Sequence, residues 1–152
     1  MRRSRTWILL ADGSTARLIR QLRPDRLTGE RVADLLFHHE QKPLQEIMSD
    51  RPGRSFSSTS RHRSSMEYGS DPVKDRHRDF ARHLVEQLAR HRVGDAFDRL
   101  IIAAEPRMLG YIREFLDPRL AAVVADEIPK DFVKLPHARL VEAITASTSI
   151  VP

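Results

Sequence analysis

The chain has 152 residues, of which 40% are apolar and 31% charged, and this composition fits one globular domain with a real core. It contains no cysteine, which excludes disulfides, thiolate metal sites and a cysteine nucleophile. The net charge is +5, and no apolar stretch approaches the roughly 20 residues of a membrane span, so the sequence predicts a soluble, cytoplasmic, single-domain protein over residues 1–152.

Three apolar segments occupy the first 38 residues. Residues 6–11 form a continuous apolar run that ends at Asp12 and Gly13, which favours a strand buried on both faces and then a tight turn. Residues 16–22 and 32–38 are two further apolar stretches, separated by a turn with Pro, Asp and Gly. The sequence therefore predicts a three-stranded antiparallel meander.

The composition changes in a long segment over residues 49–71, after one possible helical turn at 43–48. This segment is rich in Ser and Arg and poor in apolar side chains, as in a long functional or disordered loop. Residues 51–63 carry four Arg and no acid, and residues 1–5 carry three more Arg. Positive charge concentrated in this way indicates a polyanionic partner, while a mobile, solubilising loop stays an alternative.

Helices and strands alternate in the rest of the chain. Asp71 and Pro72 open a helix that ends near Gly94 and carries one apolar stripe, which includes His77. Residues 100–104 and 121–128 are predicted strands, and Pro106 and Pro136 each open a helix. The polar tail from residue 147 is expected to fray.

The predicted order is β-β-β-α-β-α-β-α. Right-handed crossovers place the fourth strand beside the first and parallel to it, with the fifth strand outside the fourth. The prediction is an α/β fold with a mixed five-stranded sheet in the order 3-2-1-4-5 and helices on both faces, which is the ribonuclease H-like topology.

Several segments, taken in order, resemble the bacterial host-attachment protein family, and the resemblance covers roughly residues 5–146. The segments are residues 7–13 with Ala16 and Arg17, the basic loop at 52–56, Phe80 and Ala81, residues 97–100, residues 106–110 with Arg113, and residues 130–132 before Pro136. That family is similar to the middle domain of archaeo-eukaryotic class I release factors and Pelota. The resemblance implies the ribonuclease H-like fold and an association with the ribosome or structured RNA.

Release-factor middle domains act through a Gly-Gly-Gln loop, which residues 49–71 lack because they contain no Gln. The basic loop still offers groups suited to RNA, since Arg pairs with phosphates and an aromatic ring stacks on an unpaired base. The candidate nucleic-acid-binding residues are Arg51, Arg54, Phe56, Arg61 and Arg63.

A metal site has only weak candidates in Asp12 and Glu105, which follow the first and fourth strands. Two-metal phosphodiester cleavage needs a further acid, and Glu86 faces the charged side of its helix. Both candidates also have structural interpretations, Asp12 in a turn and Glu105 at a helix N-terminus. The seven His show no zinc spacing, and no cofactor motif occurs, so the sequence predicts no metal and no cofactor.

Gly110 lies inside a predicted helix, where Gly costs about 1 kcal/mol relative to Ala. Close packing on the sheet is the predicted reason, and a partner surface flanked by Arg107 and Arg113 is the alternative.

The sequence as a whole favours a non-catalytic protein that binds RNA or the ribosome through the basic loop. A protein-interaction module in cell-surface attachment is the alternative hypothesis, and a metal-dependent nuclease is the third. The sequence gives no oligomeric state.

Overall fold

The computed structural model describes residues 4–39 and 71–150. The predicted helical turn at 43–48 and the basic loop up to residue 70 lie outside the described residues. The described elements are β1 (Thr6–Ala11), β2 (Thr15–Ile19), β3 (Leu35–His38), α1 (Pro72–Val93), β4 (Arg99–Ala104), α2 (Pro106–Phe115), α3 (Pro118–Ala121), β5 (Val124–Ile128) and α4 (His137–Ser147).

The five strands form one mixed sheet in the order β3-β2-β1-β4-β5, as predicted. β2 pairs antiparallel with both β1 and β3, while β4 pairs parallel with β1 and β5. The two central strands, β1 and β4, are the two continuous apolar runs of the sequence, and a strand covered on both faces needs apolar side chains at successive positions.

Helices cover both faces of this sheet, which confirms the predicted layers. On one face α1 and α2 pack through apolar side chains such as Phe80, Leu84 and Ile112. On the other face α4 packs through Leu140 and Ile144. Alternate residues of β1 therefore enter two separate cores, and each core is closed by a different part of the chain.

The ends of α1 also follow the prediction. The Asp71 side chain accepts hydrogen bonds from the backbone N–H groups of Val73 at 3.0 Å and Lys74 at 3.4 Å, and Pro72 opens the first turn. At the other end the Gly94 N–H donates to the Arg90 carbonyl at 3.2 Å. Both ends thus satisfy backbone groups that a helix leaves without partners.

The strand boundaries of the meander differ from the prediction. β3 begins at Leu35 instead of residue 32. Val32 is 47% exposed, and the two residues after it contact arginine side chains instead of pairing with β2. The Arg20 guanidinium donates two hydrogen bonds to the Ala33 carbonyl. The chain from 31 to 34 is therefore held by arginine side chains and not by a strand ladder.

Three predictions about the C-terminal half are wrong. The strand predicted from residue 121 begins at Val124, because residues 118–121 form the short helix α3. A Cβ added to Gly110 would meet no atom within 4 Å among the described residues beyond its own helix, so sheet packing does not explain this glycine. The tail does not fray at residue 147 either: the Thr148 hydroxyl donates to Asp126, and Ile150 packs against the core under α4. Within the described residues, no helix has both the length and the apolar character to cross a membrane.

Candidate functional site

The carboxyl ends of β1 and β4 meet at one edge of the sheet. Ala11 and Ala104 are partners in the parallel register, so Asp12 and Glu105 follow at neighbouring positions, as the topology predicted. Both carboxylates are half-buried. This edge is the place where α/β sheets most often bind ligands, and it is therefore the first candidate for a site.

Asp12 uses its carboxylate to hold the turn between β1 and β2. Its Oδ1 atom accepts hydrogen bonds from the backbone N–H groups of Ser14 and Thr15, both at 2.8 Å, and from the Thr15 hydroxyl at 3.0 Å. Partial burial alone would raise the pKa of Asp12, but these hydrogen bonds and the positive charge of Lys134 together bring that pKa below its ordinary value. Asp12 is therefore an ionised turn-forming residue.

Glu105 is the N-cap of α2, and its Oε1 atom accepts a hydrogen bond from the Met108 N–H at 3.1 Å. Glu86, the third acid that the sequence offered, is exposed on α1. Across the part of the chain that the structure describes, no group of three or more His, Asp or Glu side chains is arranged to hold a metal ion. Asp12 and Glu105 thus have the structural roles that the sequence gave as alternatives to a metal site.

A contact between Gly13 and His77 lies beside Asp12 at the same edge. A Cβ added to Gly13 would lie 2.3 Å from His77 Nε2 and 2.5 Å from its Cδ2 atom. Only glycine fits at this position with the ring where it is. The sequence placed His77 on the apolar stripe of α1, but it gave no signal for the residue against which the ring would pack.

Arg17 joins the sheet to the segment that precedes α4. Its Nη1 atom donates hydrogen bonds to the carbonyls of Val133 at 3.1 Å and Leu135 at 2.9 Å, and its Nη2 atom lies 3.2 Å from Asp34 Oδ2. Arg31 contacts the other oxygen of Asp34 at 2.7 Å. The only sequence signal for this network is an arginine inside an apolar strand.

The residues proposed to bind nucleic acid, Arg51, Arg54, Phe56, Arg61 and Arg63, lie outside the described residues. The structure does describe both flanks of their segment. His39 donates its N–H to the Ser14 carbonyl at 2.9 Å, and Asp71 opens the helix whose His77 packs on Gly13. His39 thus contacts the β1–β2 turn directly, and Asp71 begins the helix that reaches this turn six residues later.

Many arginines of the described residues contact acids. The ion pairs join Arg5 to Asp95 and Asp98, Arg17 and Arg31 to Asp34, Arg78 to Glu114, Arg82 to Asp79, Arg92 to Asp95, and Arg113 to Glu127. Residues 4–39 and 71–150 hold 19 Lys and Arg against 17 Asp and Glu. The described domain is thus close to electrically balanced, in contrast to the four arginines without an acid at 51–63.

Two comparisons with known proteins bear on identity. A search among curated proteins found no match. The model of one protein family, described as "protein required for attachment to host cells", matches residues 7–144, which is most of the chain. The matched region begins at the second residue of β1, ends in α4 and includes the whole of β2 to β5. The chain therefore belongs to the family of proteins required for attachment to host cells.

Proposed function

We propose that this protein is a non-catalytic binding module that contacts RNA, on its own or within the ribosome, through the arginines of residues 51–63. The observation that carries the proposal is the charge distribution. Four arginines stand in 13 consecutive residues without an acid, whereas the described domain is nearly balanced. Arginine pairs well with phosphate, and a phosphate backbone is the commonest polyanion in a cell.

The location of the segment supports this proposal. One flank, His39, bonds to Ser14 of the β1–β2 turn, and the other, Asp71, begins the helix whose His77 packs on Gly13 of the same turn. Lys74 and Arg107, in the first turns of these two helices, are exposed. A polyanion held by residues 51–63 would meet these two cations at this edge of the sheet, together with the carboxylates of Asp12 and Glu105.

The proposal includes a kinship with the middle domain of class I release factors and Pelota, and with it the ribonuclease H-like fold. The sheet order β3-β2-β1-β4-β5 is consistent with that kinship. Because the chain lacks the Gly-Gly-Gln sequence, we expect it to bind RNA or the ribosome as a related domain does, but without hydrolysing a peptidyl ester.

Salt dependence of binding is the direct test. Each arginine–phosphate contact releases counterions, so four contacts give a slope of log K against log salt of about −3. The combined change of Arg51, Arg54, Arg61 and Arg63 to Ser should remove this slope and the binding to an RNA hairpin and to purified ribosomes. Phe56→Leu should weaken binding to single-stranded RNA and leave the slope unchanged.

A matched control removes four arginines from the described domain. Arg26, Arg90, Arg119 and Arg139 are all exposed, and their change to Ser lowers the net charge by the same amount. This control should bind RNA with most of its affinity. If the 51–63 variant and the control bind equally well, or if neither differs from the unchanged protein, the proposal is wrong.

The family's description favours a second candidate, a protein-interaction module in attachment to host cells. Cell fractionation with and without ribonuclease separates the two candidates. Release of the protein from particulate fractions by ribonuclease supports RNA binding, and retention in an envelope fraction after ribonuclease supports the second candidate.

A further inference from the structure

Gly110 lies on the side of α2 that faces away from the sheet, and it is partly exposed. The buried residues of this helix, Met108, Leu109, Tyr111 and Ile112, lie around the opposite side. Residues follow each other by about 100° in an α-helix, which puts Gly110 close to the centre of the outer face. A side chain at this position would meet no described atom beyond its own helix within 4 Å.

A glycine in a helix interior weakens that helix, and a common compensation is close approach of another backbone. The described residues of the same chain supply no such backbone at Gly110. A second helix can approach closely at Gly110, because two helices come closest where the facing residue is small.

The charged residues before and after Gly110 indicate which kind of partner would bind at this face. Along the helix axis, Arg107 lies about 4.5 Å before Gly110 and Glu114 about 6 Å after it. Around the axis, the rotation of about 100° per residue places Arg107 and Glu114 on the same side of Gly110. Both side chains are exposed, and Glu114 also contacts Arg78 at 3.2 Å. The outer face thus carries Arg107 at one end and Glu114 at the other, both on one side of Gly110, while Arg113, which pairs with Glu127, lies on the opposite side.

A two-fold axis through Gly110 would pair these charges. When two identical helices pack antiparallel about a two-fold axis, a residue N-terminal to the axis in one copy faces a residue C-terminal to the axis in the other copy, on the same side of the interface. Arg107 of one copy would then lie beside Glu114 of the other, and the same contact would form a second time. We propose that the α2 face centred on Gly110 is a self-complementary surface at which two copies of this protein associate.

The surface is small, since only one helix per copy lies at its centre. Stable interfaces bury about 800 Å² per partner, so this dimer is expected to be weak and to depend on concentration. Sedimentation velocity from about 10 µM to about 1 mM covers that range. A sedimentation coefficient that rises with concentration is expected for the unchanged protein, and a constant monomer value would overturn the proposal.

Charge reversal at the two positions gives a sharper test. Arg107→Glu and Glu114→Arg each place like charges opposite each other in a dimer, so each variant alone should remain monomeric. An equimolar mixture restores two opposite-charge contacts in the heterodimer and should sediment faster than either variant. Arg107→Glu lies in the first turn of α2, where a carboxylate suits the helix dipole and folding is not endangered.

Two further variants complete the experiment. Gly110→Gln adds a long side chain at the two-fold axis and should abolish association. The helix content of this variant, measured by circular dichroism, should equal that of the unchanged protein. Arg139→Glu changes the same charge on α4, on the opposite face of the sheet, and should associate as the unchanged protein does. If the mixture stays monomeric, or if Gly110→Gln still associates, the surface is not at α2.

Discussion

The ring of His77 lies against the backbone of Gly13 so closely that a Cβ at position 13 would be 2.3 Å from Nε2. Gly13→Ala should therefore force the ring or the turn to move and should lower the free energy of unfolding by about 1–3 kcal/mol. Urea denaturation measures the change. In the background of His77→Ala the same Gly13 substitution should cost much less, and equal costs in both backgrounds would contradict the contact.

Substitution of Arg17 should also lower the free energy of unfolding. Arg17→Met removes the donor to the carbonyls of Val133 and Leu135 and to the Asp34 carboxylate, whose side chain is only 10% exposed. This change should destabilise the protein by about 2–4 kcal/mol. Arg17→Lys should recover only part of this, because one ammonium group cannot reach all three acceptors as the guanidinium fork does.

Hydrogen exchange locates the effect of the Arg17 variants. Faster exchange of the amides at 133–135 is expected, with the amides of α1 unchanged. Arg20→Met serves as a control, because Arg20 also donates to a backbone carbonyl but contacts Ala33 and not the segment before α4. Uniformly faster exchange over the whole protein would speak against a local anchor.

Asp12→Asn should lower stability by about 1 kcal/mol at neutral pH, since a neutral amide accepts hydrogen bonds more weakly and loses the attraction of Lys134. The pKa of Asp12 in the folded protein lies below its ordinary value. The carboxylate therefore contributes stability above the unfolded pKa of about 3.9, and this contribution is lost as the pH falls through the folded pKa.

The pH dependence of that difference provides the check. Unfolding midpoints of the unchanged protein and Asp12→Asn should differ by a constant amount between about pH 6 and 8 and should converge below about pH 4. Asp25→Asn, in an exposed turn, should show the same convergence, because backbone hydrogen bonds from Thr28 and Leu27 lower the pKa of Asp25 as well. A difference for Asp12→Asn that grows toward acid would contradict the assignment.

Gly110→Ala should raise the stability of the monomer by about 0.5–1 kcal/mol, because the helix gains a better helix former and no described atom obstructs the new methyl group. Thermal unfolding at low protein concentration measures this gain. A loss of stability would indicate an intramolecular contact at Gly110.

The arrangement of the sheet was predictable because local signals agreed with the topology rules. The apolar runs of β1 and β4 are continuous, and Asp71 with Pro72 carries the features of a helix start. Right-handed crossovers then left one order for the strands. The adjacency of Asp12 and Glu105 followed from the same rules, without any knowledge of side chains.

Other parts of the candidate site depend on contacts that short-range patterns do not encode. Arg17 and Val133 are 116 positions apart, and the packing of His77 on Gly13 depends on how α1 lies over the sheet. The reason predicted for Gly110 was wrong because a helical glycine signals a close approach without saying whether the approaching group belongs to the same chain.

The pairing of β1 with β4 has a consequence for how the chain folds during synthesis. Arg5 and Asp98, which meet beside these two strands, are 93 positions apart. The first strand therefore emerges from the ribosome long before its inner neighbour exists, and the meander alone leaves one side of an apolar strand open. Until β4 is made, the N-terminal meander exposes the edge of an apolar strand, which is the feature that makes a folding intermediate prone to aggregate.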